Sequence, residues 1–529
     1  MTNWIKAFPI LFVLGLLVYA NSLNNKFIID DYSYLSAPAL SETKYISYLW
    51  NPYYQGALGL AGNSGHLNFY RPLALMLSNF CFAAFKKHFW QYHLLNLFFF
   101  VSASSLIYIF IKKLTASSLQ GFLTALFYLV HPINGIIVNY ITAGIFALQV
   151  ICILCAILFL WVALERRRNR YFYALSLMFC FLSLFWNESG VMVPFYIGAF
   201  VLLYRQELLK EKALYLLPYF LIVGGYLVLR LNFFNMNEHI PAKMALYHMT
   251  FWQYSAALFQ IYSWYIGRLF YPRGIVMQWL TSVPAGHIFL NVLGLFLLLL
   301  VFVLLYIRFS NLKACRLGLA WILIGFLPAC LAAFRRPADG VIIEPHWFVF
   351  SSIGFFMVAA FFCTTIWGRN KKAGLVLVAV LTVAWGSVSY GYNQLWADQI
   401  TYTRYWLSQI PHTGFLHLYL AEADLRAGDL RDAKINGLMA LSGQPSNAMI
   451  YYDLGVIEKA GGHFKEAESD YLKALELSPY MAVAYNNLGS LYLMQGRLGP
   501  AREYFSQSLI FDPLLIKSRI GLALIDKHR

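Results

Sequence analysis

Apolar runs nearly free of charge recur along the first three quarters of this sequence, and no water-soluble core needs them. A helix needs roughly 20 such residues to cross a hydrocarbon core of about 30 Å. The purest run, 293–307, reads LGLFLLLLVFVLLYI. Composition agrees: 60% of the chain is hydrophobic and only 12% charged, against about 25% charged in soluble domains. About eleven spans fit, near 7–23, 91–111, 116–131, 137–163, 171–186, 190–204, 213–231, 286–308, 315–334, 346–367 and 373–393. The expected fold is all-α, a polytopic membrane bundle over 1–395 followed by a separate domain over 396–529.

The formal net charge of +16 points to topology, not to nucleic acid. Lys and Arg cluster in short loops at Lys112–Lys113, 165–170, 205–212, 308–316 and 369–372. Short basic loops mark the cytoplasmic face. With the N-terminus inside, eleven spans put all five loops there. Counting Phe251–Phe270 as a twelfth would expel two of them, so it reads as an interfacial helix anchored by Trp252, Tyr254, Tyr262, Trp264 and Tyr265. Pro72–Phe85 reads the same way. Outer segments are then 24–90, 232–287 and 335–347. Lys6 and the apolar run to Tyr19 resemble a secretory signal, but 7–23 is long enough to span and is expected to remain as the first helix. Cys152 and Cys155 form a C-x-x-C pair inside an apolar run, where helix packing is the expected role.

Beyond residue 390 the pattern turns soluble, and Pro411, Pro445, Pro479 and Pro513 recur at a 34-residue interval. One unit reads Tyr485-x-x-Leu488-Gly489-x-x-Tyr492, then Ala501, Phe505 and Pro513. The preceding one carries Tyr451, Leu454, Gly455, Ala467, Tyr471 and Ala474. Period and residue types fit tetratricopeptide repeats, with a degenerate unit before them and a capping helix over 514–527. Parity places these repeats outside the cytoplasm.

Polar residues gather at the outer edges of the spans. Asp30 and Asp31 follow the first span; adjacent carboxylates at a membrane boundary are costly to desolvate, and suit a cation or a reactive hydroxyl, or simply begin a solvated loop. Arg71, in NFYRPLAL, could hold a phosphate at headgroup depth or anchor the interface. His131 precedes Pro132 at a span end, and Glu188 is the acid of the turn after Asn187. Arg335 and Arg336 precede Glu344-Pro345-His346-Trp347, and two arginines on the side that should be poor in positive charge call for an anion.

In this order, with the repeats behind them, these segments resemble the transmembrane and tetratricopeptide repeat (TMTC-type) protein O-mannosyltransferases and their bacterial relatives, of the GT-C superfamily. The resemblance implies transfer of a sugar such as mannose from a polyprenyl-phosphate donor to a hydroxyl, outside the cytoplasm, in a bacterial inner membrane. It implies that Asp30 and Asp31 activate the acceptor or hold a divalent metal. Arg71, His131, Glu188, Arg335, Arg336 and His346 would then face the donor. The sequence departs from the pattern where Asn187 replaces a lysine, where Pro345 separates Glu344 from His346, and where Phe350-Ser351-Ser352 replaces Leu-Pro-Ser. A lipid-linked oligosaccharide ligase or polymerase, and a lipid or solute transporter or flippase, are the competing functions. Membrane lipid and an acceptor protein recruited by the repeats are the expected partners; nucleic acid is not.

Overall fold

The computed structural model describes residues 4–29, 31, 71–165, 169–205, 215–233, 250–281, 287–309, 312–333, 341–411, 413–513 and 515–527. Asp30, Arg335 and Arg336 lie outside the described residues. The chain divides into two compact units. The first comprises Met1–Asn25, Phe69–Ala74 and Lys87–Trp396; the second comprises Lys26–Asn68, Leu75–Lys86 and Ala397–Arg529. The first outer loop, expected to belong wholly to the membrane bundle, is thus divided between the two.

Among the described residues seven helices are long and apolar enough to cross a membrane: Ala7–Asn24, Phe89–Thr115, Ile141–Glu165, Ile288–Arg308, Lys313–Cys330, Ser352–Arg369 and Lys371–Leu395. Ser118–Val130 and Pro132–Asn139 meet at 61° and make an eighth if they are one broken span. Pro72–Phe85, Arg170–Trp186, Glu188–Tyr204 and Leu217–Arg230 are apolar but shorter. These helices are compatible with a membrane protein. The break at 131 has a local cause. Proline lacks an amide donor and disfavours helical backbone before it, and His131 is extended at φ −79°, ψ 130°. The expected span 346–367 starts later, at Ser352, because Pro345 opens a separate 3-10 turn, Pro345–Phe348.

Buried amides tie the first and last of these helices together. Asn393 Nδ2 donates to Val18 O at 2.8 Å and to Asn21 Oδ1 at 3.0 Å, while its own Oδ1 accepts from Asn139 Nδ2 at 2.7 Å. Ser22 Oγ completes the chain by donating to Asn139 Oδ1 at 2.7 Å. Inside an apolar bundle such bonds are specific because an unmade partner is costly. Helices Lys313–Ala332 and Ser352–Arg369 meet backbone to backbone at Gly318 and Gly354, the small-residue contact that lets membrane helices pack closely.

Helix Phe251–Phe270 begins with a capping box between Thr250 and Gln253 and buries Ala256, Ala257, Ile261, Trp264, Tyr265 and Leu269 on one face. It is followed by the one departure from an all-α fold among the described residues. Strand Trp279–Thr281 pairs antiparallel with Val341–Ile343, Trp279 opposite Ile343 and Thr281 opposite Val341. The pair joins two segments expected on the outer face.

In the second unit, helices Gly414–Ala427, Leu430–Gly443, Ala448–Ala460, Phe464–Leu477, Ala482–Met494, Leu498–Phe511 and Ile516–Lys527 follow in order. Within each pair the turn carries a glycine with positive φ: Gly428, Gly462 and Gly496 at 84°, 80° and 73°. Only glycine adopts that backbone without steric cost. Small residues let the paired helices approach. A Cβ on Gly455 or Gly489 would meet the ring of Tyr471 or Phe505 at 2.7 or 2.8 Å.

Candidate functional site

In the first unit three charged side chains converge. Arg71 stands just before Pro72, and Glu188 opens the 3-10 turn Glu188–Met192. Arg230 lies in the last turn of Leu217–Phe233. Arg71 Nε donates to Glu188 Oε1 and Oε2 at 3.2 and 3.0 Å, and its Nη2 to Oε2 at 2.7 Å. Arg230 Nη1 is 3.5 Å from Oε1 and donates to Tyr226 OH at 3.0 Å. The three side chains are 17%, 22% and 12% exposed, so this is a mostly buried cluster, not a surface ion pair. Burial alone would raise the carboxyl pKa of Glu188, but the Arg71 guanidinium, and after it that of Arg230, outweigh burial and hold it below its ordinary value.

The turn is built locally. Asn187 Oδ1 caps it by accepting from Ser189 N at 3.0 Å, and Gln149 Nε2 donates to Asn187 O at 2.9 Å. Gly190 is required here, since a Cβ would meet Ser183 O at 2.8 Å. Asn187, where the resembled family carries a lysine, therefore acts as the cap of the turn.

A second cluster gathers around Glu344, which is buried. Its Oε2 is 3.0 Å from His346 Nε2, and its Oε1 accepts from Gln278 Nε2 at 3.0 Å. Tyr265 OH donates to its backbone carbonyl at 2.7 Å. The His346 ring stacks on Phe146 with centroids 4.5 Å apart. A carboxylate that orients an imidazole is an arrangement able to accept a proton. Pro345, which separates Glu344 from His346 in sequence, starts the turn that brings the two side chains together. Ser189, Gln149 and His346 line one cavity of about 10 Å³, large enough for about one water. The turn of Glu188 and the segment of His346 are therefore neighbours.

His131 is held by backbone, although the turn it opens adjoins the segment of His346. Its Nδ1 accepts from Ile133 N at 3.2 Å, and its Nε2 faces Leu269 O at 3.1 Å. Both ring nitrogens are thus engaged by backbone, and the ring packs against Phe356 and Trp385.

Asp31, in the second unit, is buried. Its Oδ2 accepts from Ile28 N at 3.2 Å, and Ile29 N donates to Gln399 Oε1 at 3.2 Å. Ile29 holds φ 47°, a left-handed backbone that is a genuine outlier for a β-branched residue. Such strain, of order 1–3 kcal/mol, concentrates at functional turns. Among the described residues no group of three or more His, Cys, Asp and Glu could hold a metal ion; Asp30 is not one of them. Arg230, Gln278 and Gln149 were not singled out from sequence. Arg230 is the exception that carried a signal, as a lone charge within an apolar helix.

Residues 446–509 match the tetratricopeptide repeat family. Solved structures similar to the chain include the Arabidopsis OM64 TPR domain, at 19% identity over 22% of this chain and 96% of that one, with TM-score 0.21. MamA is similar at 22% identity over 24% and 75%, TM-score 0.23. The APC/C hetero-tetramer Cut9–Hcn1 is similar at 14% identity over 92% and 100%, TM-score 0.27. No curated protein matches the chain. The chain thus carries tetratricopeptide repeats, which are commonly protein-interaction modules, behind a region of long apolar helices.

Proposed function

We propose that this chain is a membrane glycosyltransferase of the GT-C type with about eleven spans. It would move a sugar, mannose in the first instance, from a polyprenyl-phosphate donor to a protein Ser or Thr hydroxyl on the non-cytoplasmic face. The observation that carries the reading is the meeting of Arg71 and Arg230 on Glu188. Guanidiniums fixed by a carboxylate at the ends of apolar helices suit a lipid phosphate, because a planar fork of donors matches phosphate oxygens.

In the transfer the acceptor oxygen bonds to the anomeric carbon, and the bond from that carbon to the phosphate oxygen breaks. The electron pair leaves with the lipid phosphate, whose developing charge arginines stabilise. The hydroxyl proton passes to a carboxylate, assigned to Asp31 or its neighbour Asp30. The repeats, as a stack of paired helices, would bind extended segments of the acceptor.

The test is turnover of radiolabelled polyprenyl-phosphate sugars by the full chain in nanodiscs. Removing a general base costs about 10²–10⁴-fold, so the Asp→Asn change at the true base should abolish most transfer while donor binding survives. Arg71→Ala should weaken donor binding as well. If Asp30→Asn and Asp31→Asn both keep near wild-type transfer while His346→Ala loses it, the base is misassigned. If no donor is turned over but labelled lipid changes leaflet, the chain is a flippase.

A further inference from the structure

Helix Phe251–Phe270 and the strand pair after it border a cavity of about 260 Å³. Among the described residues, none of those assigned above to donor or acceptor lines it. Gln260, Ser263, Trp264 and Arg268 enter from one face of the helix, and Trp279 and Ile343 from facing positions of the strands. The Arg268 guanidinium carbon is 5.6 Å from the ring centroid of Trp264 and 5.6 Å from that of Trp279. Two indoles and a guanidinium therefore form one wall, apolar on its faces and polar at its edge.

The polar chemistry of the lining is mixed. Trp264 is only 8% exposed, and among the described residues its Nε1–H has no hydrogen-bond partner; neither has the buried Oε1 of Gln260. Such groups are costly when left unmet. The lining thus asks for both an acceptor and a donor. An inorganic anion brings a net charge and chiefly acceptors, and an alkyl chain offers neither donor nor acceptor, whereas a neutral hydroxyl supplies both without charge. Pockets for drug-sized ligands run to about 300–1,000 Å³, so this one suits a single ring and not a peptide or a lipid tail. A saturated ring with hydroxyls at its rim and an apolar C–H face for the indoles meets all three conditions.

We propose that this cavity is a saccharide subsite that takes one neutral hexopyranose ring. The inference does not rest on the transfer reaction proposed above, since binding can be read without turnover.

Saturation-transfer NMR on the full chain in nanodiscs tests it, with methyl α-D-mannopyranoside, methyl β-D-glucopyranoside and methyl N-acetyl-β-D-glucosaminide as probes and inorganic phosphate as the anion control. At least one glycoside should bind. Trp264→Phe, which keeps an aromatic ring but removes the N–H, and Gln260→Leu should each weaken that binding about 5-fold. Trp279→Leu should weaken it more, while Trp252→Phe, at an exposed position outside the cavity, leaves it unchanged. Competition by a polyprenyl-phosphate sugar would identify the ring as the donor's, and its failure would identify an acceptor glycoside; either leaves the subsite standing. The proposal is overturned if no glycoside binds, if the conservative Trp264→Phe and Gln260→Leu variants bind as wild type, or if phosphate displaces the glycoside.

Discussion

Replacing Glu188 by Gln keeps the shape of the site and removes its one carboxylate. In the native protein that carboxylate takes three contacts from Arg71 at 2.7–3.2 Å and faces Arg230 at 3.5 Å. Removing one partner of a buried pair costs about 3–5 kcal/mol. Each of these side chains keeps some contact with solvent, 12–22% of its surface, so screening discounts that range to about 2–3 kcal/mol. The assay is built into the chain: Cys152 and Cys180 are free and buried, in helices Gly144–Glu165 and Arg170–Trp186 that flank the turn. With the other five cysteines replaced by serine, a thiol-reactive dye reports thermal opening of that region. At roughly 2–4 °C per kcal/mol, Glu188→Gln should lower the midpoint by about 4–12 °C near neutral pH. The folded-state pKa of Glu188 is held below the ordinary carboxyl value of 4.5. Its stabilisation is consequently present above 4.5 and lost as pH falls through the lower, folded value. The gap between wild type and variant should persist from pH 5 to 8 and close in more acid solution. A variant that melts with wild type at pH 7, or a gap that widens on acidification, would refute the ion cluster as drawn.

Three further outcomes follow from the same geometry. Phe505 is fully packed and its ring abuts Gly489 and Gly521, so Phe505→Ala should cost about 3–5 kcal/mol, seen as faster amide exchange confined to the last two helix pairs. Asp453 is buried, its Oδ2 unpartnered among the described residues, and burial, reinforced by Glu422 against the pull of Arg426, raises its pKa well above 3.8. Its ionised form opposes folding above that raised value, so Asp453→Asn should slow exchange of Ala448–Ala460 at neutral pH, with the advantage vanishing as pH falls toward 4. Arg273 is exposed after helix Phe251–Phe270; if that helix does not cross, an impermeant maleimide should label Arg273→Cys from the non-cytoplasmic side, and labelling only from the cytoplasm would mean that it spans.

The parts legible in the sequence are those set by local periodicity. Long apolar runs announce helices that suit a bilayer because every backbone group must be paired within the segment, and they reappear as the apolar helices Phe89–Thr115 and Lys371–Leu395. The prolines at a 34-residue interval announce the repeats for a similar reason: each unit packs against its neighbour through the same small and aromatic positions, such as Gly455 on Tyr471 and Gly489 on Phe505. The bend at His131 was also visible as a proline, but its geometry was not.

Tertiary structure alone decided which polar groups meet. Arg71 and Glu188 are 117 residues apart, and nothing in the local pattern of either names the other. Arg230 reads as one charge at the end of an apolar helix until folding carries it to Glu188. His131 and His346 look equivalent in sequence, each beside a proline at a helix end. Folding gives one ring to backbone groups of Ile133 and Leu269 and the other to the carboxylate of Glu344. The cavity beside Trp264 likewise exists only because strand Trp279–Thr281 pairs with Val341–Ile343. Periodicity reports which face of a segment is apolar; a hydrogen bond or an ion pair depends on distances across the fold, which no repeat along the chain encodes.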